Sequence, residues 1–185
     1  MLDLAAGRWQ FAAMPLLHLV RHAKSNRDDP SLDDHDRPLA GRGRKAAPMM
    51  ARWMAENGIL PDLVLVSTAR RCRETWEAMQ PAFRPHPDVA FEAGLYLASS
   101  EELTQRLREL SEDRHEVMLI GHNPGLQDLA LRLGDAGGME QAQLAAKFPT
   151  AALCTLDGGE KPWRRLGQGR LRMIRFIRPA DVGEG

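Results

Sequence analysis

Three short stretches of the chain concentrate side chains that suit an anion. They are Arg21-His22-Ala23-Lys24-Ser25, Ser67-Thr68-Ala69-Arg70-Arg71-Cys72-Arg73 and Gly121-His122-Asn123-Pro124. Each follows directly on an apolar run, at residues 16–20, 63–66 and 116–120. Apolar runs of that length read as buried strands. In an open sheet covered by helices, ligands lie beyond the carboxyl ends of the strands. That topology brings two histidines and several arginines to one edge of the sheet. The second stretch breaks a local rule. Arg70, Arg71 and Arg73 fall in the first turn of a helix, at the positive end of its dipole, where each is disfavoured by about 0.3–1 kcal/mol. Helix N-termini and guanidinium forks both suit phosphate, so a bound anion would turn that penalty into an attraction. The alternative is that these arginines reach into solvent or pair with Glu74 and Glu77.

The elements that must hold these residues follow from the pattern between them. Residues 25–38 are polar, rich in Asp and carry two prolines, so they form a loop. From Gly43 to Asn57, Ala46, Met49, Met50, Trp53 and Met54 recur at helical spacing, and Gly58 supplies the stop. Pro48 sits awkwardly inside that helix. Ser67-Thr68 is expected to cap a helix reaching Met79. A short strand falls at 89–91, and Ser99-Ser100-Glu101-Glu102 opens another helix with acidic residues in its first turn. Asn123 and Pro124 fit the N-cap and first position of a helix ending at Leu133. Residues 134–138 break the chain, and 151–156 and 171–177 read as closing strands. Alternating strands and helices imply an α/β three-layer sandwich, with a mainly parallel central sheet and helices on both faces. Residues 1–13 show no period and read as an extension, with Met14 a second plausible start; residues 14–185 form a single domain.

Composition narrows the function. The 185 residues include 25 basic and 25 acidic side chains, which leaves no net field to attract nucleic acid or an anionic membrane. No apolar run approaches the roughly 18–20 residues of a membrane span. Cys72 and Cys154 form no C-x-x-C pair and too few sulfurs for a disulfide framework. With no signal-peptide pattern at the N-terminus, a reducing, cytoplasmic location is expected. His18 and His22 lie about 13 Å apart along a strand at ~3.3 Å per residue, too far to share a metal. His18 then reads as a satisfied strand histidine, and His35, His86 and His115 as surface residues. The cysteine-phosphatase pattern fails, because Ala78 stands where a Cys-x5-Arg cradle needs its arginine. Asp33, Asp34, His35 and Asp36 read as a solvated acidic loop; the alternative is that they border the substrate entrance. Arg170, Arg172, Arg175 and Arg178 read as guards of an edge strand.

At this point the residues carry a family resemblance. Leu17-His18-Leu19-Val20-Arg21-His22-Ala23-Lys24-Ser25 resembles the Arg-His motif of the histidine phosphatase superfamily, which includes the phosphoglycerate mutases. Its Ala-Lys-Ser continuation resembles the compact SixA-type phosphohistidine phosphatases. Asp36-Arg37-Pro38-Leu39 with Gly43, Val66-Ser67-Thr68-Ala69-Arg70-Arg71-Cys72-Arg73-Glu74-Thr75 and Gly121-His122-Asn123-Pro124 match further segments in the expected order. Together they span residues 15–135. The resemblance implies a phosphoglycerate mutase-like fold and a phosphorylated His22, formed by in-line attack and cleaved by water. It implies that Arg21, Arg71 and His122 bind the transferring phosphoryl oxygens, with Lys24 and Ser25 at the rim. His22 must be neutral to attack, and the adjacent arginines favour that form; a protonated His122 would add another cation. The family's leaving-group acid has its nearest counterpart in Glu92, whose surroundings match only loosely. A phosphohistidine needs less help, since an imidazole leaves neutral. The expectation is a metal-independent, cofactor-free phosphatase acting on phosphohistidine, in a protein or a small phosphoramidate. The alternatives are a broad small-molecule phosphomonoesterase or a phosphate-recognising module without turnover.

Overall fold

Strands buried on both faces need apolar residues at every position, and β2 (Leu63–Ser67) and β4 (Glu116–Gly121) have them almost throughout. The computed structural model describes residues 15–135, 139–167 and 170–183; the expected extension at 1–13 lies outside them. The other strands are β1 (Leu16–Arg21), β3 (Asp88–Glu92), β5 (Gly134–Asp135), β6 (Leu153–Asp157) and β7 (Leu171–Ile177). All seven form one mixed sheet in the order β3-β2-β4-β1-β6-β7-β5. The first four run parallel, β6 and β7 add antiparallel, and β5 pairs parallel with β7. The parallel half is the expected sheet, and it carries the strand ends of interest.

Alternate strand residues feed two cores. On one face Val20, Val64, Val66 and Ile120 pack against α1 (Gly41–Glu56) and α2 (Arg70–Met79) through Met50, Met54 and Trp76. On the other, Leu17, Leu19, Leu65 and Leu119 meet α3 (Ser100–Arg108), α4 (Gly125–Leu133) and α5 (Met139–Ala146). Helix α1 runs unbroken through Pro48. His18 is buried between Thr155 Oγ1 and a Glu116 carboxylate oxygen, each 3.0 Å away, as a satisfied strand histidine should be. Among the described residues no helix is long and apolar enough to cross a membrane.

Several local expectations change. Ser67 and Thr68 do not cap α2, whose N-cap is Ala69 without a side-chain bond. Helix α4 starts at Gly125, not Pro124, and Asn123 turns its amide to Gln127 and to the Phe148 carbonyl instead of capping. Strand β6 starts at Leu153, two residues late, because Ala151 takes a left-handed turn at φ 63° to bond the Arg21 and His22 carbonyls. The outer side of β7 meets β5 only at Leu171 and Arg172, so most of β7 is an edge. Of the arginines read as its guards, Arg172 pairs with Asp157, and Arg178, just beyond the strand, pairs with Asp181.

Candidate active site

Strand register sets the site. Arg21 pairs with Gly121 across β1 and β4, so His22 and His122 each stand one residue beyond neighbouring strand ends. The His22 amide donates to the Gly121 carbonyl at 3.0 Å, and the imidazole centroids lie 5.2 Å apart. The first turn of α2 brings the buried Arg71 between them. Its Nε–H donates to His22 Nε2 at 3.3 Å, and its Nη2 donates to His122 Nδ1 at 3.2 Å.

A guanidinium only donates, so both of those ring nitrogens must be acceptors. His22 therefore carries its proton on Nδ1 and donates it to the Ala23 carbonyl at 2.7 Å. His122 carries its proton on Nε2 and donates to Ser67 Oγ at 2.8 Å. The lone pairs of His22 Nε2 and His122 Nδ1 both lie at Arg71. Burial, reinforced by His122, Arg71 and Arg21 and only partly opposed by the Ala23 bond, pushes His22 down to about 3. Burial and then Arg71 likewise push His122 down to about 3. A neutral His22 is as expected. The same burial and neighbouring cations favour a neutral His122, so the further cation it would supply if protonated is not present in this arrangement.

The histidines open on a cleft of about 260 Å³ that Lys24, Ser25, Arg27, Arg37, Asn123 and Thr150 also line. Arg21 gives Nη1 to the Phe148 carbonyl at 2.7 Å, while its buried Nε has no partner among the described residues. Gly43 lets the first turn of α1 press on the loop after β1, since a Cβ there would meet the Lys24 carbonyl oxygen at 2.3 Å. The three α2 arginines divide between the two readings: Arg71 enters the site, whereas Arg70 pairs with Glu74 at 2.7 Å and Arg73 is exposed.

The sequence assigns two site residues no role at the phosphate site. Asp34 sits in the acidic loop, yet its carboxylate accepts from Arg71 at 2.9 Å and from the Tyr96 hydroxyl at 2.8 Å, and pairs with Arg37 at 3.1 Å. Although burial raises it, Tyr96 and the two guanidiniums bring the Asp34 carboxyl below its usual range. Tyr96 itself stands edge-on to His122 at 5.4 Å. Cys72 touches His122 Nε2 at 3.5 Å, but burial pushes its thiol up to about 12, far from a reactive thiolate. Glu92, at the end of β3, forks onto Arg106 at 2.7 and 2.8 Å and is not part of the cleft wall. Among the described residues no three His, Cys, Asp or Glu side chains converge to hold a metal.

Comparison with known proteins agrees with this arrangement. The family model of the histidine phosphatase superfamily (branch 1) matches residues 17–119. An uncharacterized chloroplastic protein of Arabidopsis thaliana is 36% identical over 186 residues, covering 91% of this chain and 83% of its own. An uncharacterized protein of Mycobacterium tuberculosis is 32% identical over 140 residues, covering 74% of this chain and 85% of its own. Among solved structures, a candidate phosphohistidine phosphatase SixA from Agrobacterium tumefaciens is 33% identical with a TM-score of 0.74, covering 89% of this chain and 98% of that one. A protein histidine phosphatase SixA complexed with tungstate shares the fold at 20% identity, with a TM-score of 0.73 and coverage of 91% and 99%.

Proposed function

The chain belongs to branch 1 of the histidine phosphatase superfamily and is a metal-independent phosphatase of phosphoglycerate mutase-like fold; from that premise we propose that it hydrolyses phosphohistidine through a phosphoryl intermediate on His22. The observation that carries this reading is a cleft with a nucleophile and cations but, among the described residues, no carboxylic acid free to protonate a leaving group. Among the described residues Asp34 is its one carboxylate and is held ionised, while Glu92 is engaged by Arg106. An alkoxide leaving group needs a proton from an acid. The imidazole of a phosphohistidine, protonated on its other nitrogen, departs neutral without one. The SixA name of the Agrobacterium tumefaciens structure supports the same substrate.

His22 Nε2 attacks phosphorus in line while the substrate P–N bond breaks and the electron pair goes to the departing imidazole. The Nδ1–H bond to the Ala23 carbonyl keeps Nε2 unprotonated and the ring oriented, and Nε2 gives up its bond from Arg71 as it attacks. Arg71 and the unpartnered Nε of Arg21 bind the non-bridging oxygens, where positive charge stabilises the transferring group. When Arg71 turns from His122 to the phosphoryl dianion, His122 Nδ1 takes a proton from solvent water and donates it in a hydrogen bond to a non-bridging oxygen. Lys24 and Ser25 hold the rim. Water then attacks phosphorus, the P–Nε2 bond breaks, and His22 returns with inorganic phosphate released. This acts in residues 14–185 as one domain, in a cytoplasmic setting.

The test compares turnover of a phosphohistidine peptide with an aryl phosphate. A large preference for the peptide, lost in His22→Ala, is the expected result. Comparable His22-dependent turnover of both would move the enzyme to a broad phosphomonoesterase. Arg71→Ala weakens phosphate affinity as well as turnover, whereas His22→Ala retains part of the affinity.

A further inference from the structure

The cleft at His22 continues past its own rim. Lys24 and Thr150 line it and also a neighbouring recess of about 400 Å³ floored by Ala46, Pro149 and Pro179. Arg42 and Ala46 carry that surface on to Lys45 and Met49. Arg42, Lys45, Ala46 and Met49 follow the i, i+3, i+4, i+7 spacing of one helix face. That face of α1 is about 10 Å long at ~1.5 Å per residue.

Its charge is one-sided. The first turn of α1 holds no acidic residue, and no carboxylate lines either recess. Among the described residues Lys24, Arg42 and Lys45 make no ion pair, whereas Arg178 nearby is bound to Asp181. In a chain with no net charge, unpaired cations running out of a catalytic cleft call for an anionic partner.

We propose that this trough receives an acidic stretch of polypeptide flanking the phosphorylated residue of a protein substrate, held by Lys24, Arg42 and Lys45. The inference rests on the phosphohistidine reading above. The length of the α1 face fits about three residues of extended chain at ~3.3 Å each. Cations above an apolar floor suit alternating acidic and apolar side chains. A small phosphoramidate occupies the catalytic cleft and leaves the trough unused.

The experiment pairs two phosphohistidine peptides, one flanked by Glu and one by Gln, with an aryl phosphate as the chemical control. In Arg42→Glu with Lys45→Glu, kcat/KM for the Glu-flanked peptide falls about tenfold through KM, as expected for charge reversal beside a binding surface. Turnover of the Gln-flanked peptide and of the aryl phosphate stays within about twofold. Equal effects on both peptides, or none, overturn the proposal. An equal loss on a small bisphosphate ester overturns the polypeptide occupant in favour of a second small anion. If the wild-type enzyme turns over neither peptide, the phosphohistidine reading fails on its own. The trough is then judged by fluorescence anisotropy of an unphosphorylated Glu-rich peptide. Tighter binding to wild type than to the double variant sustains it, and equal binding overturns it.

Discussion

His22 and His122 are set in opposite tautomers by one guanidinium, and both stay neutral where a free histidine would gain a proton near 6.5. Between 6.5 and about 3 the unfolded chain therefore binds more protons than the folded one. Stability is then greatest above pH 6.5 and falls as pH drops through that window. Urea midpoints taken from neutral pH downward should show the decline. His22→Gln and His122→Gln should each make it shallower, by up to about 1.4 kcal/mol per pH unit for each proton removed. Identical slopes in wild type and both variants would mean that neither ring is held neutral. Arg21, His22 and His122 were legible because each stands at or just past a strand end, where a period change marks the boundary, and Arg71 because it opens the helix that follows β2. Asp34 and Tyr96 were not, because a loop without periodicity gives no direction to its side chains. Only the fold puts Asp34 on Arg71, 37 positions away.

Elements transmit this geometry through close backbone contact. The first turn of α1 touches the loop after β1 at Gly43, where an added methyl would lie 2.3 Å from the Lys24 carbonyl oxygen, a backbone atom that cannot swing aside. Gly43→Ala should cost about 1–3 kcal/mol in urea unfolding, as overpacking does. It should also lower kcat, because the same displacement moves His22; an unchanged protein would show that α1 is free to shift. Strand β3 is joined to α3 by the Glu92–Arg106 fork. Glu92→Gln should weaken that joint by about 1 kcal/mol while leaving aryl-phosphate turnover unchanged. A tenfold or larger loss of turnover would make Glu92 the acid after all. The long buried strands and α1 were readable from apolar runs and helical spacing. The missed details share one cause: Asn123, Ser67 and Ala151 each have a local role that tertiary hydrogen bonds override. Helix α5 has a single buried residue, Leu144, and so leaves little periodic signal.

Across the whole molecule, 25 basic and 25 acidic residues cancel, yet they are not evenly spread. The cleft wall carries Arg21, Lys24, Arg27, Arg37 and Arg71 against Asp34 alone. Phosphoryl transfer needs positive charge around the moving group, and here guanidiniums supply it from fixed positions. Because the charge belongs to the protein, prior treatment with a chelator should leave turnover unchanged. Added divalent cations should not rescue Arg71→Ala. The same asymmetry should steer anionic substrates over distances that salt screens, about 10 Å at 0.1 M ionic strength. Raising salt should therefore lower kcat/KM while kcat holds, since screening weakens approach more than contacts in a buried site. Loss of activity on chelation, restored by a divalent ion, would show that the arginines do not supply the charge the reaction uses.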